Sequence, residues 1–258
     1  MGTADMRDIK RPVDHVAHFY SVRAGFPLGD LRSGEITVVG SDQRYRQNGR
    51  TKFFMAILHD RALVSTQHEM VAMVRPIVEK AEEPCQLHDE AIISSLIKLC
   101  AEATGDATDL YQYEGVKLYC DPENYVLVMD SNVRRITRRD AGEAIAALRE
   151  VGIPDDVDYL LADNAAFAYY VDNAPVGFAG THPVGEFSDR IGNICVGVLG
   201  RHHRRGYGKA LVSATTGELL HQGRTAVWGT AANNAAAIKT AQSVGYNHYC
   251  WLLELRFR

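Results

Sequence analysis

The sequence has little cysteine, and none of it is arranged as a scaffold. The five cysteines, Cys85, Cys100, Cys120, Cys195 and Cys250, are odd in number and widely spaced, with no C-x-x-C pair. That argues against a disulfide framework and against a bound metal, and it fits a reducing cytoplasm. Long apolar runs are also missing. No stretch approaches roughly 18 uncharged apolar residues, so no membrane span is expected. The opening MGTADMRDIK has acids and bases but no apolar signal core. Gly2 follows Met1, yet Met6 stands where an N-myristoylation signal needs Ser or Thr. Strong charge is lacking as well. A formal net charge of -4 argues against a general nucleic-acid binder and is compatible with a cationic substrate. No internal repeat or low-complexity segment is found.

What remains is an ordinary globular composition. The chain has 258 residues, 46% apolar and 23% charged, enough for one or two domains with a sizeable core. In the first half, residues 12–23 read as a helix with Val13, Val16, Ala17 and Tyr20 on one side. Residues 35–40 read as a strand, and FFMAILHDRALVST as a hairpin turning near Asp60. Met70, Val71, Val74, Ile77 and Val78 repeat at helical spacing. A further helix carries Ile92, Ile93, Leu96, Ile97 and Cys100 and stops at Gly105. Short strands are expected at 116–120 and 125–130. No catalytic motif falls in this half.

From about Asn132 the order becomes regular. VRRIT is a strand, and RDAGEAIAALREVG is a helix closed by Gly152. AAFAYYV, the turn DNAP and VGFAGTHP form a hairpin, and GNICVGVL is a strand. RGYGKALVSATTGELLHQG is a helix, TAVWGTA a strand, NNAAAIKTAQSVG a helix and YNHYCWLLELRF a terminal strand. The boundary is set near 130, giving an N-terminal α/β domain (1–130) packed on a C-terminal domain (131–258). No Pro/Gly-rich linker separates them, so tight packing is expected.

Chemistry concentrates in Val198-Leu-Gly-Arg-His-His-Arg-Arg-Gly-Tyr-Gly-Lys-Ala210. An apolar strand runs into a glycine-bearing loop that opens a helix. The first turn of such a helix offers unpaired N–H groups and the positive end of its dipole. Gly206 and Gly208, lacking Cβ, let an anion approach the backbone. Arg204, Arg205 and Lys209 add positive charge. The reading is a phosphate or pyrophosphate site, with a solvated or nucleic-acid-contacting loop as the alternative. A dinucleotide fold would need a third glycine where Leu211 stands.

The order of elements and two motifs give the C-terminal half a family resemblance. His203-Arg-Arg-Gly206-Tyr-Gly208 resembles the Gln/Arg-x-x-Gly-x-Gly/Ala signature of the GNAT acetyltransferases, with His203 in place of Arg or Gln. Asn234-Ala-Ala-Ala237 through Gly245-Tyr246 is similar to that family's Asn-x-x-Ala … Gly-Phe segment. The resemblance covers roughly residues 132–250. It implies an α/β fold with a mixed, mostly antiparallel, splayed sheet flanked by helices, and acetyl-CoA as cosubstrate. Strand 193–198 would splay from 225–231, with the backbone of Val196 and Val198 pairing with the pantetheine arm. His203, Arg204, Arg205, Gly206, Tyr207, Gly208 and Lys209 would cradle the pyrophosphate. Asn234 and Ala237 would touch the pantetheine or adenosine side, and an N–H near Val196 would meet the oxyanion.

The same resemblance leaves catalysis open. Relatives often carry a Tyr where Ala241 stands, so either the sulfur leaves unprotonated or another group protonates it, with Tyr246 and Tyr207 as the candidates. The strand GNICVGVL has no carboxylate. Glu186, Asp189 and His182, just upstream, are candidate bases acting through water; each reads equally as a turn residue. Cys195 reads as a small buried hydrophobe. Asp155 and Asp156, with Asp158, would form an acidic lip on the acceptor site or start a helix. Trp228 and His182 would line the acceptor cleft, Trp228 with core packing as its alternative. His202 and His203 have no third ligand nearby, so no metal is expected.

Trp228, Asn234 and Gly245 also resemble the pattern of bacterial zwittermicin- and kasugamycin-resistance acetyltransferases. That implies antibiotic inactivation, with the 2′-amino group of an aminoglycoside such as kasugamycin as acceptor. The expected partner is a small-molecule amine, without nucleic acid or membrane, and the protein a cytoplasmic monomer or homodimer. The alternatives are an acyl-CoA-binding sensor, a transferase acting on a polyamine or peptide amine, and a nucleic-acid binder. The hairpin at 52–65 is expected to complete the sheet or wall the acceptor site.

Overall fold

The structure, a computed structural model, describes residues 11–41, 51–104 and 110–257. The expectations for MGTADMRDIK, including Gly2 and Met6, and for Gly105 lie outside the described residues. In chain order the elements are α1 (Pro12–Ala24), β1 (Ile36–Gly40), β2 (Thr51–Ile57), β3 (Ala62–Thr66), α2 (Val71–Val78), α3 (Glu90–Thr104) and β4 (Leu110–Cys120). Then come β5 (Val133–Arg135), α4 (Ala141–Leu148), α5 (Val157–Leu161), β6 (Phe167–Val171), β7 (Ala174–His182), β8 (Ile191–Val198), α6 (Tyr207–His221), β9 (Thr225–Ala231), α7 (Ala235–Gln242) and β10 (Tyr246–Phe257). The class is mixed α/β, as the alternation of patterns predicts. No described helix is long and apolar enough to cross a membrane.

The chain divides into two compact units. One holds residues 1–117, 231–233 and 248–258; the other holds 118–230 and 234–247. In the first, β1 lies parallel to β3, and β3 is antiparallel to β2. β2 in turn pairs antiparallel with β10, from Trp251↔Ile57 to Arg256↔Thr51. The hairpin near Asp60 therefore does extend the terminal strand. Its core gathers Phe53, Met55 and Val64 with Val74 and Leu96 from α2 and α3 and with Leu253, all fully buried.

In the second unit β5, β6, β7 and β8 form an antiparallel run, and β8 turns parallel to β9. The β6–β7 turn passes through Asp172 and Asn173 in left-handed conformations, which tight hairpins require. Leu148 of α4, Ala168 and Phe178 of the hairpin and Leu211 of α6 pack a second core. α4 continues as a single 3-10 turn to Gly152, whose φ of 76° ends it.

The expected strand at 125–130 is absent. The segment joins no ladder, and its polar groups go elsewhere. The Tyr125 hydroxyl donates to Ser213 O at 2.8 Å, Val126 N–H to Val244 O at 3.0 Å, and Val128 N–H to Ser213 Oγ at 2.8 Å. Gly245 makes this route possible: with φ of 98°, a Cβ there would sit 1.9 Å from Asn124 O. β-Rich composition was overridden by anchoring to α6 rather than to a neighbouring strand.

Candidate active site

β8 and β9 share four rungs, from Ile191↔Thr225 to Ile194↔Trp228. β8 continues to Val198 and β9 to Ala231, so the strands part after Ile194 and Trp228. The other edge of β8 stays bonded to β7 in register, from His182↔Asn193 to Gly177↔Val198. Residues 195–198 thus present a strand edge that an extended chain could join.

Side-chain alternation gives β8 two faces. A Cβ on Gly192 would run into Leu219 of α6, and one on Gly197 into Val151 just past α4. Val196 and Val198 therefore point to the α6 face, and Asn193 and Cys195 to the α4–α5 face.

On the α6 face lies a cavity of about 470 Å³. Its walls include Val196, Val198, His203, Arg204, Gly206, Tyr207, Gly208, Lys209, Trp228 and Ala237. Gly206 caps α6 at φ of 84° and provides no side chain for the first turn, whose Ala210 N–H makes the first helical bond back to Gly206 O. The N–H groups of Tyr207, Gly208 and Lys209 have no acceptor within the helix. Gly208 has room for a side chain, since a Cβ would meet only Val198 Cγ2 at 3.9 Å. Packing does not explain a glycine that costs a helix about 0.5–1 kcal/mol relative to alanine. Among the described residues Arg204, Arg205 and Lys209 form no ion pair. His202 also lines the cavity, and its buried Nδ1 has no partner. Desolvation, with Arg201 and Arg205 nearby, lowers its pKa. An uncapped helix, an unexplained glycine, free cations and an orphaned ring nitrogen beside an open strand edge fit a phosphate-bearing cofactor with an extended arm.

Two expected cofactor residues stand outside this wall. Arg205 is exposed and does not line the cavity. Asn234 caps α7, its Oδ1 accepting from Ala237 N–H at 3.2 Å. His203, where the resembling family has Arg or Gln, donates Nε2–H to Val198 O at 2.8 Å. Tyr207 stacks on Tyr169 with centroids 3.9 Å apart, and the Tyr169 hydroxyl donates to Asp130 at 2.8 Å. Trp228 is 4% exposed and packs edge-on to Tyr246, as its core-packing alternative expects, and it also borders this cavity. Tyr246 is buried and hydrogen-bonds Thr216 at 2.8 Å; burial holds its pKa well above the ordinary value. Sequence reasoning considered His202 only as a metal or nucleic-acid contact and passed over Gly197, Ala236 and Thr240. Thr240 was findable, lying one turn from Ala236 and Ala237 on the same face of α7.

On the α4–α5 face the acidic residues already have partners. Asp156 is the N-cap of α5 and accepts from Asp158 N–H at 2.8 Å and Tyr159 N–H at 3.0 Å. Asp155 pairs with Arg149 at 3.5 Å and Asp158 with Arg138, all exposed. Glu186 sits exposed in a 3-10 turn, and Asp189 pairs with Arg190 at 3.3 Å. His182, at the end of β7, meets the Tyr159 hydroxyl through Nδ1 at 3.4 Å. Desolvation lowers the His182 pKa. Cys195 is largely buried, which pushes its thiol up to about 11. Among the described residues no three His, Cys, Asp or Glu side chains converge as a metal site.

Similarity to known proteins follows this geometry. Residues 134–246 match the model of the acetyltransferase (GNAT) family. An acetyltransferase of the GNAT family from Colwellia psychrerythraea shares the fold at 12% identity and a TM-score of 0.50, over 76% of each chain. A GCN5-related N-acetyltransferase-like protein from Streptococcus suis 89/1591 aligns over 95% of this chain and 99% of its own, at 13% identity and a TM-score of 0.49. The protein yncA of Salmonella typhimurium, solved with its cofactor acetyl-CoA, aligns over 50% of this chain and 94% of its own, at 18% identity and a TM-score of 0.36. No curated protein sequence matches the chain. Residues 134–246 thus match the GNAT acetyltransferase family in sequence pattern and share its fold.

Proposed function

We propose that the protein acetylates a primary amine of a small cationic molecule, an aminosugar antibiotic of the kasugamycin type at its 2′-amino group, and so inactivates it. The observation that carries the transfer reading is the open β8 edge beside the uncapped start of α6. In this reading Val196 and Val198 hold the pantetheine arm, and the loop His203–Lys209 receives the pyrophosphate. Ala237 and Asn234 flank the arm. Trp228 borders the acceptor, while the acidic lip of Asp155, Asp156 and Asp158 contributes little to it, since two of these carboxylates pair with arginines and the third caps α5. Acetyl-CoA supplies an acyl group activated as a thioester. The chain binds and orients it, and takes a proton from the amine. Acetylation removes a positive charge and a donor from the drug, weakening its contacts with anionic RNA.

The aminosugar assignment is supported by Trp228, Asn234 and Gly245 in the resistance-type pattern and by the net negative charge. Free-thiol release from acetyl-CoA tests it against kasugamycin, a common aminoglycoside, spermidine, a lysine peptide and no acceptor. Release with kasugamycin alone is the expected result, and release with spermidine or the peptide instead would reassign the acceptor. A sensor without catalysis has its own support. β8 carries no carboxylate, and the buried Ala241 stands where relatives carry Tyr. Tight acetyl-CoA binding with no release on any amine would establish that reading.

A further inference from the structure

The α4–α5 face of β8 holds a second group of reactive side chains, on the opposite side from the cavity. His182 is directly opposite Asn193, and Gly180 opposite Cys195, in the β7–β8 register. Cross-strand partners point to the same face, so His182, Asn193 and Cys195 share it. Cys195 is the first residue of β8 beyond the last rung with β9. Asn193 and Cys195 are two residues apart, so His182 stands about 7 Å along the sheet from the point where the strands part. Tyr159 leans over this patch from α5, its hydroxyl 3.4 Å from His182 Nδ1.

We propose that His182 is the base that takes the proton from the acceptor amine, and that Tyr159 is its positioning residue. This rests on the acetyltransferase reading. The Tyr159 oxygen accepts Nδ1–H, which leaves the Nε2 lone pair free. Nε2 removes one proton from the substrate ammonium and later passes it to solvent. The freed nitrogen lone pair bonds to the thioester carbonyl carbon, and the carbon–sulfur bond breaks. The second nitrogen proton ends on the departing sulfur, giving the amide, the CoA thiol and one proton in solution.

The surroundings suit the role. Desolvation lowers the His182 pKa, so the ring is neutral at neutral pH and able to accept a proton. The titratable groups that face it from other elements are Cys195, Asp163, Glu186 and Asp189. The Cys195 thiol is pushed up to about 11 and stays neutral. Asp163, which is close enough to raise the Tyr159 pKa, is bonded to Thr181 Oγ1 and to Arg224 at 3.0 Å. Glu186 and Asp189 follow in the next turn, exposed. Asn193 offers an uncharged amide directly across the rung, suited to orienting a polar acceptor.

The test is thiol release by the full chain with kasugamycin, spermidine and a lysine peptide from pH 5 to 9, together with acetyl-CoA affinity by calorimetry. His182→Gln should lower kcat about 100-fold or more at pH 7. Its acetyl-CoA affinity should stay at the wild-type value, and the deficit should shrink as pH rises and the ammonium deprotonates unaided. Tyr159→Phe keeps the ring and should fold. Losing the hydroxyl removes an acceptor that favours the imidazolium, so the acid limb of the pH–rate profile should move to lower pH with a several-fold fall in kcat and little change in KM. A His182→Gln enzyme with wild-type kcat and an unshifted acid limb would overturn the assignment while leaving the acetyltransferase reading standing. A wild-type enzyme that releases no thiol with any of the amines would overturn both.

Discussion

Two charged stretches of the second unit, Asp155–Asp163 and His203–Lys209, differ in what their charge is committed to. The acidic stretch Asp155–Asp163 is occupied by the fold. Asp156 caps α5, Asp155 and Asp158 pair with arginines, and Asp163 bridges Thr181 and the buried Arg224. The basic stretch His203–Lys209 leaves its cations, its first-turn N–H groups and the space over Gly208 unused by the protein. The contrast teaches where to look for a ligand: among polar groups the fold has not already satisfied, because folded proteins rarely leave such groups idle without cause.

Four substitutions test that contrast, in descending size. Asp163→Ala strands Arg224, which is 7% exposed, and should cost about 3–5 kcal/mol in denaturant unfolding; a cost under about 1 kcal/mol would mean that the acidic loop is less committed than its bonds indicate. Gly206→Glu places a carboxylate at the mouth of the α6 N-terminus and forces a side chain into a left-handed backbone. Acetyl-CoA affinity and thiol release should fall about 100-fold or more, equivalent to about 2.7 kcal/mol, with the far-ultraviolet spectrum retained. Asp156→Ala removes the α5 cap and should cost about 1 kcal/mol of stability, with acetyl-CoA affinity unchanged. Gly208→Ala should do the reverse of most binding-site lesions. It should raise stability by about 0.5–1 kcal/mol, since a helical methyl has room there, while weakening acetyl-CoA binding. Unchanged affinity would mean that nothing approaches that backbone.

The sequence carried much of this. The strand–loop–helix around Gly206 and the alternation of patterns after Asn132 foretold the core of the second unit, because apolar period and turn residues are local signals. The strand at 125–130 did not form, because the choice between a ladder and Ser213 of α6 is made by residues some 85 positions apart. The commitments of Asp155 and Asp158 were hidden for the same reason: a carboxylate looks equally free in a sequence whether or not a partner waits in space. His202 reads in the sequence as a surface-loop residue because burial of its Nδ1 depends on how the 3-10 turn at 200–202 folds back, which composition does not encode. Tyr159 and His182 are 23 residues apart and meet only because α5 crosses the sheet beside the end of β7.

In the proposed reading, the parting of β8 and β9 after Ile194 and Trp228 ties folding to the supply of acyl donor. A backbone edge inside a sheet that a small molecule completes makes that molecule part of the folded state's free energy. A ligand at one hundred times its dissociation constant adds about 2.7 kcal/mol to the unfolding free energy, a rise of several degrees in melting temperature for a chain of this size. Resistance to proteolysis and heat then tracks the supply of acyl donor, and purified protein stripped of it should be the least durable form of the enzyme.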